Sequence, residues 1–200
     1  MNRLFACLLL LLLSACVSAP TRDPVDIPPG DWQLDQRHAS VTWQARHFGL
    51  SWFTARFDDV DASLTFDAAA PEAARLTAII DADSVSTGQP AFDDTLRGSN
   101  WFAADRHPQI VFESHDIEIT GEQTGIAHGE LTIRGVTHAA EMHIEFYGGN
   151  FNFLESRDAI GFGADMMVSR SDYGIGQLIP AAIAGDDVRI RIEAEFLRED

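Results

Sequence analysis

From Trp32 onward, apolar and polar residues alternate with a period of two. Val41, Trp43, Ala45 and His47 share one parity, against Thr42, Gln44 and Arg46. Phe53, Ala55 and Phe57 repeat the pattern, as do Ala62, Leu64 and Phe66, and then Leu76, Ala78 and Ile80. Ile110 and Phe112 lead to Ile117 and Ile119, followed by Leu131 with Ile133 and by Met142, Ile144 and Phe146. Ile160, Phe162, Ala164, Met166 and Val168 form a long stripe. In the last segment Val188, Ile190, Ile192, Ala194 and Phe196 stand against Arg189, Arg191, Glu193 and Glu195. Successive strand residues point to opposite faces, so this spacing predicts roughly nine strands, each apolar on one face and polar on the other. Parallel strands would read as unbroken apolar runs joined by helical crossovers, and the chain shows neither. The expected fold is all-β and antiparallel, either a sandwich or a closed barrel.

One short helix is expected near Pro90. Proline suits a first helical turn, Asp93 and Asp94 complement the dipole there, and Gly98 can end the element. Ala68 to Ala74, broken by Pro71, reads as a loop or a single helical turn. Ser169 to Gly185 is a long connection carrying Ile175, Leu178, Ile179 and Ile183. A connection of that character either caps an interior or packs as a satellite of the core.

The first residues break the pattern. Met1-Asn2-Arg3 precedes an apolar run, Leu4 to Leu13, that is too short to span a bilayer, which takes about 20 residues. It has the length of a signal-peptide core, and it ends in Leu13-Ser14-Ala15-Cys16. That ending resembles the bacterial lipobox, which implies that residues 1–15 are a lipoprotein signal and that Cys16 is the acylated first residue of the mature chain. Several acyl chains at one residue anchor a protein stably, where one is marginal. Val17 replaces the aspartate associated with inner-membrane retention, which favours the outer membrane, on its periplasmic side. Residues 16–29, rich in proline, read as an acylated N-terminus and flexible tether, and residues 30–200 as the barrel domain.

Composition narrows the function. Thirty-one acidic residues against 14 basic ones, all arginine, give a formal charge of −17, which disfavours nucleic-acid binding. Loss of Arg3 with the leader makes the mature chain one unit more negative. The two cysteines are Cys7 and Cys16, so the folded region has no thiol for a disulfide, a zinc site or a nucleophile. No G-x-S-x-G elbow, H-E-x-x-H, phosphate loop or full G-x-G-x-x-G is present. The histidines show no recognised ligand spacing, although Asp35, His38 and His47 would be brought together by a suitable hairpin. Neither a catalytic residue nor a metal site is assigned. What remains is the apolar face, rich in large rings: Trp43, Phe53, Phe57, Phe66, Phe112, Phe146 and Phe162, with Met166. Such a stripe fits both a filled core and a lined cavity.

An ordered set of short motifs carries a resemblance. It runs from Trp32-x-Leu34-Asp35-x-x-His38-Ala39-x-Val41, through His47-x-Gly49-x-Ser51 and Phe57, to Ser84-x-Ser86-Thr87-Gly88, Asp94-x-Leu96 and Trp101-Phe102. It continues with Pro108-x-Ile110-x-Phe112-x-Ser114, Gly129-x-Leu131-Thr132-Ile133-x-Gly135-Val136-Thr137 and Arg170-Ser171-Asp172-Tyr173-Gly174. This resembles the YceI-like family of bacterial secreted proteins, from about Trp32 to Phe196. The resemblance implies a lipocalin-like antiparallel β-barrel holding a polyisoprenoid, such as a quinone tail or polyprenyl lipid, with no other cofactor. It implies that Trp43, Phe53, Phe57, Phe112, Phe146, Phe162 and Met166 line the interior. His38, His47, Arg170 and Tyr173 are then the expected mouth. The expected partners are the isoprenoid lipid and, through the acyl chains, the membrane; homodimerisation is left open. The alternatives are an enzyme acting on a lipid-like substrate at the mouth, and a structural, stress-protective envelope protein with a filled barrel.

Overall fold

The computed structural model describes residues 19–199. Ten strands follow in chain order: β1 (Gly30–His47), β2 (Ser51–Phe57), β3 (Val60–Phe66), β4 (Arg75–Asp81), β5 (Val85–Ser86), β6 (Gln109–Ile119), β7 (Thr124–Ile133), β8 (Val136–Asn152), β9 (Arg157–Ser169) and β10 (Ala184–Arg198). The helix expected at Pro90 is α1 (Pro90–Arg97), with Gly98 at its C-cap. Period-two alternation marks every strand except β5, whose two residues are too few to show a period.

All pairings are antiparallel, in the order β10-β9-β8-β7-β6-β4-β3-β1, and β1 pairs again with β10. Eight strands therefore close into a barrel. The lower half of β1 pairs with β3 (Trp32 opposite Leu64), and its upper half with β2 (Val41 opposite Phe57). β2 lies outside the closed ring, its only other strand partner among the described residues being β5. The apolar parity faces inward. Arg189, Arg191, Glu193 and Thr42 take the outward parity, the inverse of a barrel that meets lipid around its girth.

The two ends differ. At the upper end, where β1 finishes, α1, residues 98–107 and the 169–184 connection close the barrel. Phe57 and Trp43 pack their rings on Phe102 at 5.3 and 6.4 Å, and Leu96 is 1% exposed. Asp93 ties α1 to β5, accepting hydrogen bonds from Thr87 N at 2.7 Å and Thr87 Oγ1 at 2.6 Å. At the lower end Phe66, Phe146 and Phe162 form a ring cluster with centroids 5.1–5.6 Å apart.

The segment expected as a free tether is docked on this lower end from residue 19. Thr21 exchanges two backbone hydrogen bonds with Gly149, at 2.7 and 2.8 Å. Asp23 caps a 3-10 turn over Pro24–Asp26, and Ile27 is 3% exposed. One apolar side chain, one backbone bridge and the Arg22 side chain hold the segment, and none leaves a periodic mark among the prolines. Residues 1–18, which include the expected leader and Cys16, lie outside the described residues.

Among the glycines of the wall, Gly129 on β7 lies closest to the backbone of a neighbouring strand. A Cβ there would sit 2.3 Å from the Glu113 carbonyl oxygen and 2.9 Å from the Phe112 ring. Gly129→Ala is expected to destabilise the fold by about 1–3 kcal/mol, read as a lower denaturant midpoint at unchanged slope.

Candidate functional site

The barrel encloses a cavity of about 300 Å³. Its middle is walled by inward side chains such as Ile80, Ile110, Phe112, Leu131, Ile144 and Met166. Several inward residues keep accessible surface. Leu76, Ala78 and Ile80 on β4 are only half-buried, although their faces look away from the outer solvent. In a filled barrel these positions would be closed off by their neighbours. The interior is therefore hollow, which the alternation by itself left undecided.

Of the rings expected along the wall, Trp43, Phe57, Phe112, Phe146 and Phe162 border the cavity, as does Met166. Phe53 does not. It lies on β2, outside the closed ring, where it stacks on Trp43 at 6.0 Å and edge-on against Phe92 of α1 at 5.5 Å. The aliphatic lining was missed because only rings were singled out; it shares their inward parity.

The expected mouth residues are not brought together. His38 sits in an irregularity of β1 between Leu34 and Ala39, on the outside of the wall. Its Nδ1 is 2.8 Å from Asp35 Oδ2, while Arg37 bridges Asp35 Oδ1 at 3.1 Å and Glu155 at 2.7 Å. His47 ends the same strand, nine residues of extended chain away, or about 30 Å, so no hairpin joins the two histidines. It is exposed, with its ring edge-on to Phe48 at 4.8 Å. Tyr173 is buried against His138, at 5.1 Å, and does not border the cavity. Burial pushes its phenol above the usual value, with a contribution from Asp172.

Arg170 does border the cavity, but at the closed end and with its donors committed. Its Nε binds the Gly185 carbonyl at 3.1 Å, one terminal nitrogen binds those of Ile175 and Gly176 at 2.8 and 2.9 Å, and the other binds those of Ile179 and Ala184, both at 2.9 Å. A guanidinium has five N–H groups, so none is left for a ligand. Arg170 is a clamp that folds the 169–184 connection into a lid. Arg134 fastens the lid further, through the carbonyls of Gly174 and of Ser99, the latter at 3.0 Å.

The opening lies at the other end. The exposed lining residues (Arg22, Pro24, Ile119, Gly121, Glu122 and Thr124) are all at the lower end. Arg22 belongs to the docked segment and is held by a hydrogen bond from its Nε to the Tyr147 carbonyl at 3.1 Å. Glu122 lies in the β6–β7 turn, and Thr124 opens β7. Alternation identifies which face a residue takes, not which end of a barrel is stoppered, so no periodic signal marked this rim. Its one sequence cue is the Gly121–Gly125 turn itself. Among the described residues no group of three or more histidine, cysteine or acidic side chains is placed to hold a metal.

Known proteins resemble the chain in both sequence and fold. The sequence profile of the YceI-like domain matches residues 32–196. A UPF0312 protein of Pseudomonas paraeruginosa is 29% identical over 172 residues, covering 84% of this chain and 87% of that protein. The crystal structure of the Campylobacter jejuni YCEI protein superposes with a TM-score of 0.71 at 26% identity, covering 78% of this chain and 90% of that one. A polyisoprenoid binding domain from Saccharophagus degradans superposes with a TM-score of 0.65 at 14% identity, covering 86% of this chain and 100% of that one, a likeness of fold alone.

Two measurements check these assignments. Arg170→Met leaves five carbonyls short of their donor and is expected to cost about 2–5 kcal/mol, with new protease cleavage within residues 174–184. The Asp35–His38 contact predicts a pH dependence. Burial acts to raise the Asp35 carboxyl, but hydrogen bonds from Arg37 and His38 outweigh it and hold the carboxyl below its usual value. His38 is raised above 6.5, first by its bond to Asp35 and then by Glu195. The folded chain thus binds the His38 proton more tightly than the unfolded chain does. The resulting stabilisation is complete below the unfolded value of 6.5 and is lost as pH rises through the higher folded value. Wild-type midpoints followed upward from about pH 6 should fall relative to those of His38→Gln, and parallel curves would disprove the coupling.

Proposed function

The chain belongs to the family of YceI-like domains, and from that premise we propose that it is a non-enzymatic binding protein that carries one polyisoprenoid chain in its barrel. The observation that supports this reading is the hollow, almost wholly apolar interior, stoppered by the Arg170 lid at one end and open at the other. Each five-carbon unit withdrawn from water into such a wall contributes on the order of 2 kcal/mol, so several units are held without a strong polar contact. Ordering of the flexible chain offsets part of that gain. The Saccharophagus degradans domain described as polyisoprenoid binding agrees in fold with this reading.

Leader and anchor complete the proposal. Residues 1–15 direct export, Cys16 receives the acyl chains, and the barrel stands on the periplasmic face of the outer membrane, passing lipid rather than transforming it. The polar groups at the cavity fit that role, being a committed Arg170 at the closed end and a sparse rim at the open one.

The test is organic extraction of protein purified from its own host, followed by mass spectrometry. A polyprenyl or quinone species near one per chain is expected. Its repeated absence, together with no uptake of added polyprenol, defeats the reading. Ala78→Trp should fill the half-exposed part of the wall and abolish uptake while circular dichroism keeps its β signature.

A further inference from the structure

β8 and β9 outrun β7 at the lower end. β7 stops opposite Glu145, whereas β8 and β9 stay paired as far as Asn152 and Arg157, with β10 alongside β9 to Ala159. The hairpin therefore projects past the β6–β7 side of the mouth, and its tip is apolar. Phe151 is 47% exposed, Phe153 71% and Leu154 93%. This tip is built rather than frayed. Asn152 Oδ1 accepts the Leu154 and Glu155 amides at 3.0 and 3.3 Å, and the rings of Phe151 and Phe153 stand edge to face at 5.2 Å. Of the flanking carboxylates, Glu155 is matched by Arg37 at 2.7 Å, and Asp158 stands opposite Phe151 in the hairpin.

The start of the described chain lies beside this tip. Ala19, Thr21 and Phe151 line one groove, and Thr21 is bridged to Gly149 on β8. Cys16 precedes Ala19 by three residues, a reach of at most about 11 Å. Val25, on the same docked segment, is 90% exposed.

We propose that the Phe151–Leu154 tip inserts into the bilayer surface and, together with the chain leaving at residue 19, seats the barrel mouth-down on the membrane. The inference rests on the anchored lipid-carrier reading. Three observations choose a bilayer as the occupant: the apolar tip, the chain end beside it, and a mouth opening at the same end. The upper end also exposes Phe48, Leu50 and Leu178, but it has neither a mouth nor a chain end. With a formal charge of −17, attraction to anionic lipid cannot draw the protein down, so the contact is apolar. The arrangement also removes an obstacle to loading, because an isoprenoid passing from bilayer to cavity need not cross open water.

The test uses the full chain, processed in a bacterial host and reconstituted into phosphatidylcholine vesicles with brominated acyl chains. Leu154→Cys and, as a control of like exposure at the other end, Leu50→Cys each carry a thiol-reactive fluorophore. Strong quenching at position 154 with little at position 50 is expected. No quenching at 154, or stronger quenching at 50, overturns the proposal. In parallel, Phe153→Asp with Leu154→Asp should slow uptake of polyprenol from vesicles by about tenfold while leaving uptake from detergent unchanged. Equal slowing from both sources, or slowing from neither, also overturns it. If wild-type protein takes up nothing even from detergent, the carrier reading fails by itself, and the quenching pair still decides the seating.

Discussion

The architecture depends on one long strand with three partners. β1 gives its lower half to β3, its upper half to β2, and the length of its other edge to β10. β1 changes neighbour midway, and its register against β10 shifts there: between Leu34 and Ala39 it advances five residues while β10, from Phe196 to Ala194, advances two. Asp35 is buried there, with Arg37 and His38 bonded to it, so the adjustment is held by charged groups on the outside of the wall. Once β1 and β10 meet, the ring of eight strands has no free edge, and the inward parity encloses space. Hollow interior, polar exterior and distinct ends all follow from that closure.

Much of this was legible from residue order. Alternation is a direct consequence of strand geometry, so Val188 to Phe196 could be assigned to an inner face without any structure. The helix at Pro90 was legible for a similar reason, since its ends carry chemistry specific to those positions. β5 was not, because two residues cannot display a period. The docked segment was hidden for another reason: its main tie, Thr21 to Gly149, is made by backbone atoms that every sequence possesses.

The site divides along the same line. Face was readable, and depth along the barrel axis was not. Six of the seven expected lining residues border the cavity, while Phe53 is excluded because β2 leaves the closed ring and α1 covers its inner side. The expected polar residues lie apart from the open rim. His38, His47, Arg170 and Tyr173 are types that bind ligands elsewhere, but residue type says nothing of how many of a side chain's donors the backbone has already taken. For Arg170 the answer is all of them. The rim that does open, around Arg22 and Glu122, draws in part on a segment ahead of residues 32–196.

The Arg170 clamp hydrogen-bonds main-chain oxygens, those of Ile175, Gly176, Ile179, Ala184 and Gly185, with the Asp186 carboxylate alongside at 4.0 Å. Carbonyls are common to all residues, so the lid can exchange many of its side chains at little cost to the clamp. It cannot change its length, because one inserted or deleted residue would carry several oxygens out of reach together. Over evolutionary time the loop should drift freely in composition while its residue count stays constant.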